Sequence, residues 1–134
     1  GANVSRNPEQ ELGWTAVKRS ASVSNRYFQP PSEIQVMQWH SETFEIPKGA
    51  VRLAENQICT NQMYQIGENV LGFQFHPEIT PQVLKSFIEN EEHEKQFSVH
   101  FKSQIEILKK SKKQQFEAGN MLLNSAIDYV LREK

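Results

Sequence analysis

The short stretch from Pro77 to Pro81 splits the chain into two parts that cannot share one kind of secondary structure. Before it, prolines and glycines punctuate short runs of β-branched and aromatic residues, the composition of strands and turns. From Glu91 onward no proline or turn dipeptide interrupts the chain, so the tail reads as helix. The predicted order is strands first and helices afterwards, with one helix covering the last strand. As a free-standing fold, that order leaves sheet edges and one sheet face uncovered.

Within the first part, Gly1 to Val17 reads as an extended stretch, a turn at Asn7-Pro8-Glu9 and a short strand through Leu12–Val17, two strands in all. Polar residues from Lys18 to Asn25 lead to Pro30-Pro31, a pair that can continue neither a ladder nor a helix. Ile34–His40 has strand composition, and Phe44–Gly49 returns the chain into a strand at Ala50–Ala54. Met63–Ile66 and Val70–Phe75 flank Gly67-Glu68-Asn69, which predicts a hairpin. Alternation on its second arm places Leu71, Phe73 and Phe75 on one face, and Val70, Gln74 and His76 on the other.

Thr80 is suited to cap a helix that begins at Pro81, where the missing N–H costs nothing. Val83, Leu84, Phe87 and Ile88 recur at helical spacing and predict its buried stripe. In the tail, Ile105 and Leu108 anchor one helical piece, and Phe116, Leu122, Leu123, Ile127, Val130 and Leu131 anchor a second.

At 134 residues the chain fits one domain, and a chain of that size buries roughly two-thirds of its unfolded surface. A net charge of -1 gives no reason to expect nucleic acid or an anionic membrane as partner. A single cysteine excludes an internal disulfide, and no apolar run approaches a signal or membrane-spanning segment, so a cytoplasmic location is expected. Residue 1 is glycine rather than methionine, from which a processed or excised chain is expected.

The chemistry concentrates in Gly72-Phe73-Gln74-Phe75-His76-Pro77-Glu78. An imidazole that titrates near neutrality can take a proton from a thiol and return it to a leaving group, provided an acceptor fixes its tautomer. Glu78, two residues away across a rigid proline, can be that acceptor and can stabilise the imidazolium. Such a pair makes chemical sense with a cysteine and implies acyl transfer. Taken alone, His-x-Glu also describes an ordinary hydrogen-bonded histidine at a strand end.

Several segments in order resemble the class I, triad-type glutamine amidotransferases. They are Gly72–Glu78 with Ile79-Thr80-Pro81; Gln38–Phe44 with Pro47-Lys48-Gly49-Ala50; Leu53-Ala54 with Cys59-x-Asn61-Gln62; and Arg6-Asn7-Pro8 with Glu11-Leu12-Gly13-Trp14. Together they cover residues 1 to about 88 and are most similar to the GMP-synthase-like branch. The resemblance implies the C-terminal half of a flavodoxin-like α/β/α sheet over residues 1–90, with 91–134 a helical tail on the same domain.

It further implies that His76 is the general base and acid and that Glu78 orients it. Glutamine would be hydrolysed to glutamate and ammonia through a cysteine thioester, without a cofactor. That family's nucleophile stands in a Gly-x-Cys-x-Gly elbow, and no such motif occurs in this chain. The nucleophile, by resemblance, comes from the missing N-terminal half. The expected partners are that half, a synthetase or a second copy of the chain; the alternative is an inactive, self-associating or partner-binding module.

Cys59, in Gln57-Ile58-Cys59-Thr60-Asn61, lacks flanking glycines and reads as a buried structural residue. By resemblance, His40 rides on a loop bordering the active site and is a candidate for positioning substrate, with a packed histidine as the alternative. Ser41-Glu42 stands where the family more often has Gly-Asp. A metal site from His40, Cys59, His76 and Glu78 lacks the short spacing of zinc motifs, so no metal is expected. Lys109, Lys110, Lys112 and Lys113 read as a solvated helix face, and His93 and His100 as solvent-facing.

Overall fold

The structure, a computed structural model, describes residues 1–21, 23–92 and 99–132. Among these residues, five strands, β1 (Val4–Arg19), β2 (Glu33–Phe44), β3 (Ala50–Glu55), β4 (Met63–Ile66) and β5 (Val70–Phe73), precede three helices, α1 (Pro81–Glu92), α2 (Val99–Leu108) and α3 (Lys113–Leu131). The strands form one antiparallel sheet in the order β2-β1-β3-β4-β5. The fold is mixed α/β, with strands and helices in the order the composition predicts.

The expected turn at Asn7-Pro8-Glu9 is absent, and β1 is one long strand. The ladder to β2 passes from Arg6 opposite Glu42 to Glu11 opposite His40, so extra residues of β1 bulge between these pairs. Asn7 stabilises the bulge: its side-chain amide donates to Glu9 O at 2.7 Å and to Ile58 O at 3.1 Å. Turn-forming residues satisfy a bulge as readily as a turn, because both leave backbone carbonyls needing local donors.

The hairpin forms as expected, with Ile66 opposite Val70 and Gly67 at φ +56°. Tyr64 lies opposite Gly72, and its ring occupies the space a Cβ at that position would need. The glycine that opens the His-Pro-Glu heptapeptide is therefore a packing requirement of the hairpin.

Alternation along β1 and β2 divides their side chains between two apolar clusters. Leu12, Trp14, Met37 and Trp39 join Ile79, Leu84, Ile88, Phe101, Ile105, Leu108 and Phe116, drawn largely from the helices. Val17 and Val36 join Leu53, Met63, Phe75, Leu122 and Ala126. The helix starting at Pro81 is capped by Thr80, whose hydroxyl accepts from Val83 N at 3.2 Å, and its Leu84 and Ile88 are buried as the spacing predicts.

The stripe of α3 is rotated from the expected one. Phe116, Gly119, Leu122 and Ala126 are buried, whereas Ile127 and Leu131 are 45% and 75% exposed. The cause is close approach: a Cβ at Gly119 would lie 3.4 Å from Pro77 O, so the small residue turns this face of α3 onto the segment carrying His76. Leu123, Ile127, Val130 and Leu131 instead line an open apolar groove of about 380 Å³ beside β5. In the basic run, Lys109 pairs with Glu106 and Lys113 with Glu117, as expected of a solvated face. His100 is exposed; His93 lies outside the described residues.

Candidate active site

Beyond β5, the backbone carries His76 away from β4 and toward β2. Gln74 N donates to Gln62 O, next to β4, at 2.9 Å; two residues later His76 N donates to Met37 O of β2, also at 2.9 Å. The last strand in the sheet order thus hands the chain to the first, which is possible only because the sheet curls. His76 stands at the seam where the curl closes.

Contacts from both α1 and α3 fix the segment that follows. The Asn120 amide donates to Pro77 O at 2.8 Å and to Ile79 O at 3.1 Å, Ile79 is buried, and the His76 ring meets Phe87 edge-on at 5.5 Å between centroids. In this frame His76 Nδ1 lies 2.7 Å from Glu78 Oε1. An ionised carboxylate only accepts, so Nδ1 donates and the neutral ring presents Nε2 as a lone pair. Nε2 has no hydrogen-bond partner among the described residues. With side chains 27% and 51% exposed, His76 and Glu78 are open to a reactant.

His40 occupies a different setting. It lies within β2, opposite Glu11, and not in a loop. Its Nε2 is 3.0 Å from Glu11 Oε1 and its Nδ1 is 2.7 Å from Glu42 O, so both ring nitrogens are engaged. Glu11 is only 2% exposed and also accepts from Gln62 Nε2 and Asn56 Nδ2, each at 2.7 Å. Burial by itself would raise the Glu11 pKa, but hydrogen bonds from His40, Asn56 and Gln62 and the nearby His40 ring outweigh it and hold the carboxyl below its ordinary range.

Cys59 is buried, with its sulfur 3.2 Å from Thr43 Oγ1. Burial first, and the Glu11 charge in addition, push its thiol above the ordinary value, the reverse of an activated nucleophile. Glu11, His40 and Cys59 offer donor atoms within 4.8 Å of one another, a grouping that sequence spacing did not reveal. Both Glu11 oxygens and both His40 nitrogens already bond protein groups, so an ion there would have to displace these bonds. The structure thus joins His76 to Glu78 and His40 to Glu11, with Cys59 beside the second pair.

Glu11 is the buried carboxylate hub that residue-by-residue reading passed over. Glu11-Leu12-Gly13-Trp14 and Cys59-x-Asn61-Gln62 were recognisable as segments, yet nothing local showed that Glu11 and Gln62 would meet. The signal was a carboxylate in an otherwise strand-like run, where a buried charge needs partners.

A model of the class-I glutamine amidotransferases matches residues 1–96. The chain belongs to that family. A glutamine amidotransferase-like protein of Salmonella typhimurium, YfeJ, is 30% identical over 98 residues, which cover 70% of this chain and 40% of that protein. The glutamine-hydrolysing GMP synthase of Borreliella burgdorferi is 29% identical over 94 residues, 66% of this chain and 18% of the synthase. Among solved structures, a glutamine amidotransferase from Thermotoga maritima superposes with a TM-score of 0.75 at 26% identity, covering 99% of this chain and 56% of that one. This amidotransferase chain therefore spans about half or less of the relatives it matches. Among its described residues, no helix is long and apolar enough to cross a membrane.

Proposed function

We propose that this chain supplies the acid–base pair of a glutamine-hydrolysing Cys-His-Glu site, as the C-terminal part of a class I amidotransferase domain. One observation carries the reading: the 2.7 Å bond from His76 Nδ1 to Glu78, which leaves a partly exposed imidazole with Nε2 ready to accept a proton. The nucleophile comes from outside these residues. Cys59 is buried with a raised pKa, and the chain contains no Gly-x-Cys-x-Gly elbow. Residues 1–90 carry the pair, and 91–134 belong to the same domain through the grip of Asn120 on the His76 segment.

In this mechanism, His76 Nε2 takes the proton of the incoming thiol and Glu78 stabilises the imidazolium. The thiolate attacks the side-chain carbonyl carbon of glutamine. The imidazolium then protonates the departing nitrogen, so ammonia leaves and a thioester remains. Water, deprotonated by the same nitrogen, hydrolyses the thioester to glutamate and restores the thiol. No cofactor is needed, and the reduced cysteine it requires suits the cytoplasm.

The GMP synthase relative points to a synthetase partner as consumer of the ammonia. The test is to combine the chain with an amidotransferase N-terminal portion containing the elbow cysteine and to measure glutamate release from glutamine. Activity that disappears with His76→Ala supports the reading; an active mixture indifferent to that change refutes it.

A second reading, an inert module that associates with a partner or a second copy, draws on the open edge of β5 and the exposed Val70, Ile127 and Leu131 nearby. Failure of every such mixture to release glutamate, with a dimer seen by light scattering, would favour it.

A further inference from the structure

A chain of buried polar side chains spans the inside of the curled sheet. Gln38 of β2 donates through Nε2 to Gln62 Oε1 at 2.9 Å, and Gln62 donates through its own Nε2 to Glu11 Oε1 of β1 at 2.7 Å. Both glutamines have no exposed surface. In the strand order, β2 and the start of β4 are separated by β1 and β3, so a direct Gln38–Gln62 bond exists only because the sheet is curled. Glu11 completes the link by gathering Asn56 and Gln62, from the β3–β4 connection, onto the same carboxylate as His40.

Two members of this chain, Gln62 and Gln38, lie at or beside the two backbone bonds that deliver His76. Gln62, whose side chain is the central member, accepts Gln74 N on its carbonyl; Met37, adjacent to Gln38, accepts His76 N on its own. We propose that Glu11, acting through Gln62 and Gln38, is a positioning residue for His76: it fastens the curl at the seam and so fixes where the imidazole is presented. A carboxylate suits the task. It receives three donors at once, one from β2 and two from the β3–β4 connection, a charge-assisted arrangement that an apolar residue of equal volume cannot reproduce. Its location fits as well, because a misplacement of about 1 Å at a reacting group can cost about 100-fold in rate. The cost of burying the charge is met by the same three bonds that fix its neighbours.

The inference rests on His76 being the acid–base group, but its test does not require glutaminase activity. Glu11→Gln is examined in this chain by nuclear magnetic resonance, following the His76 ring Nδ1–H signal and the exchange of backbone amides. The expected result is a shifted or broadened His76 Nδ1–H signal, with Gln74 and His76 amides exchanging at least about tenfold faster than in the parent while α3 amides keep their protection. Gln38→Met cuts the link at its far end and leaves the three Glu11 donors in place, so it serves if Glu11→Gln does not fold; the same changes, smaller in size, are expected.

Unchanged His76 signals and amide exchange in the folded variants would overturn the proposal. So would acceleration by one common factor across α1, α3 and the seam, which marks general destabilisation. If His76→Ala leaves a reconstituted glutaminase active while these signals still move, the catalytic reading falls and the structural coupling stands.

Discussion

Among the described residues are two imidazole–carboxylate pairs that work in opposite ways. His76 and Glu78 are two residues apart, half-exposed to exposed, and joined through Nδ1, so the far nitrogen meets solvent. His40 and Glu11 lie on neighbouring strands, the carboxylate is buried, and both ring nitrogens are occupied. An imidazole is a proton carrier only while one nitrogen is free to change partners. The first pair satisfies that condition. The second has the same groups with none to spare, which makes it a fastening. Environment, rather than residue identity, separates the two roles.

The sharpest way to break this contrast is to remove each histidine's function in turn. With the nucleophile supplied, His76→Ala should lower glutamine hydrolysis by about 10²- to 10⁴-fold, the usual range for a lost acid–base group, while leaving the denaturation midpoint nearly unchanged. Loss of folding instead would mean that the exposed pair is the structural one.

Glu11→Ala should act on stability, costing about 3–5 kcal/mol in chemical denaturation, because it strands buried donors of His40, Asn56 and Gln62. A cost within the range of an ordinary surface substitution would refute the fastening role.

Glu78→Gln, which keeps shape and removes charge, should slow hydrolysis by about 10- to 100-fold, the worth of one charge-assisted hydrogen bond. Its effect on stability should be small.

The pH dependence of stability provides a gentler probe. The folded Glu11 carboxyl is held below its ordinary value of 4.5, so its contribution is fully present above that value and is lost as pH falls through the lower folded one. Acid titration of the midpoint should therefore fall less steeply below 4.5 in Glu11→Gln than in the parent. The smallest effect belongs to Ile127→Lys in the exposed groove, expected to change stability by less than about 0.5 kcal/mol. A larger loss would show that the groove is covered in solution.

Local chemistry determined a good deal. Thr80-Pro81 fixed a helix start, because a hydroxyl cap and a proline at the first turn satisfy the same unpaired N–H groups in any context. Gly67 marked the hairpin, and Pro77 between His76 and Glu78 kept the two side chains near each other in sequence, within reach of a bond. The bond between His76 and Glu78 was legible for that reason: the two residues are only two positions apart.

What only the tertiary structure decided depends on separations along the chain that no local pattern encodes. The bulge in β1 formed where a turn was expected, since Asn7 found a carbonyl at Ile58 as well as one nearby. The buried face of α3 turned toward Pro77 because Gly119 permits close approach, leaving Ile127 and Leu131 outside although their hydrophobicity argued otherwise. Glu11, Gln38, His40 and Gln62 are polar residues on strands or beside them, and sequence alone gives such residues no reason to be buried. The curl of the sheet brings them together, and the hydrogen bonds they then make are what allow a charge to remain inside.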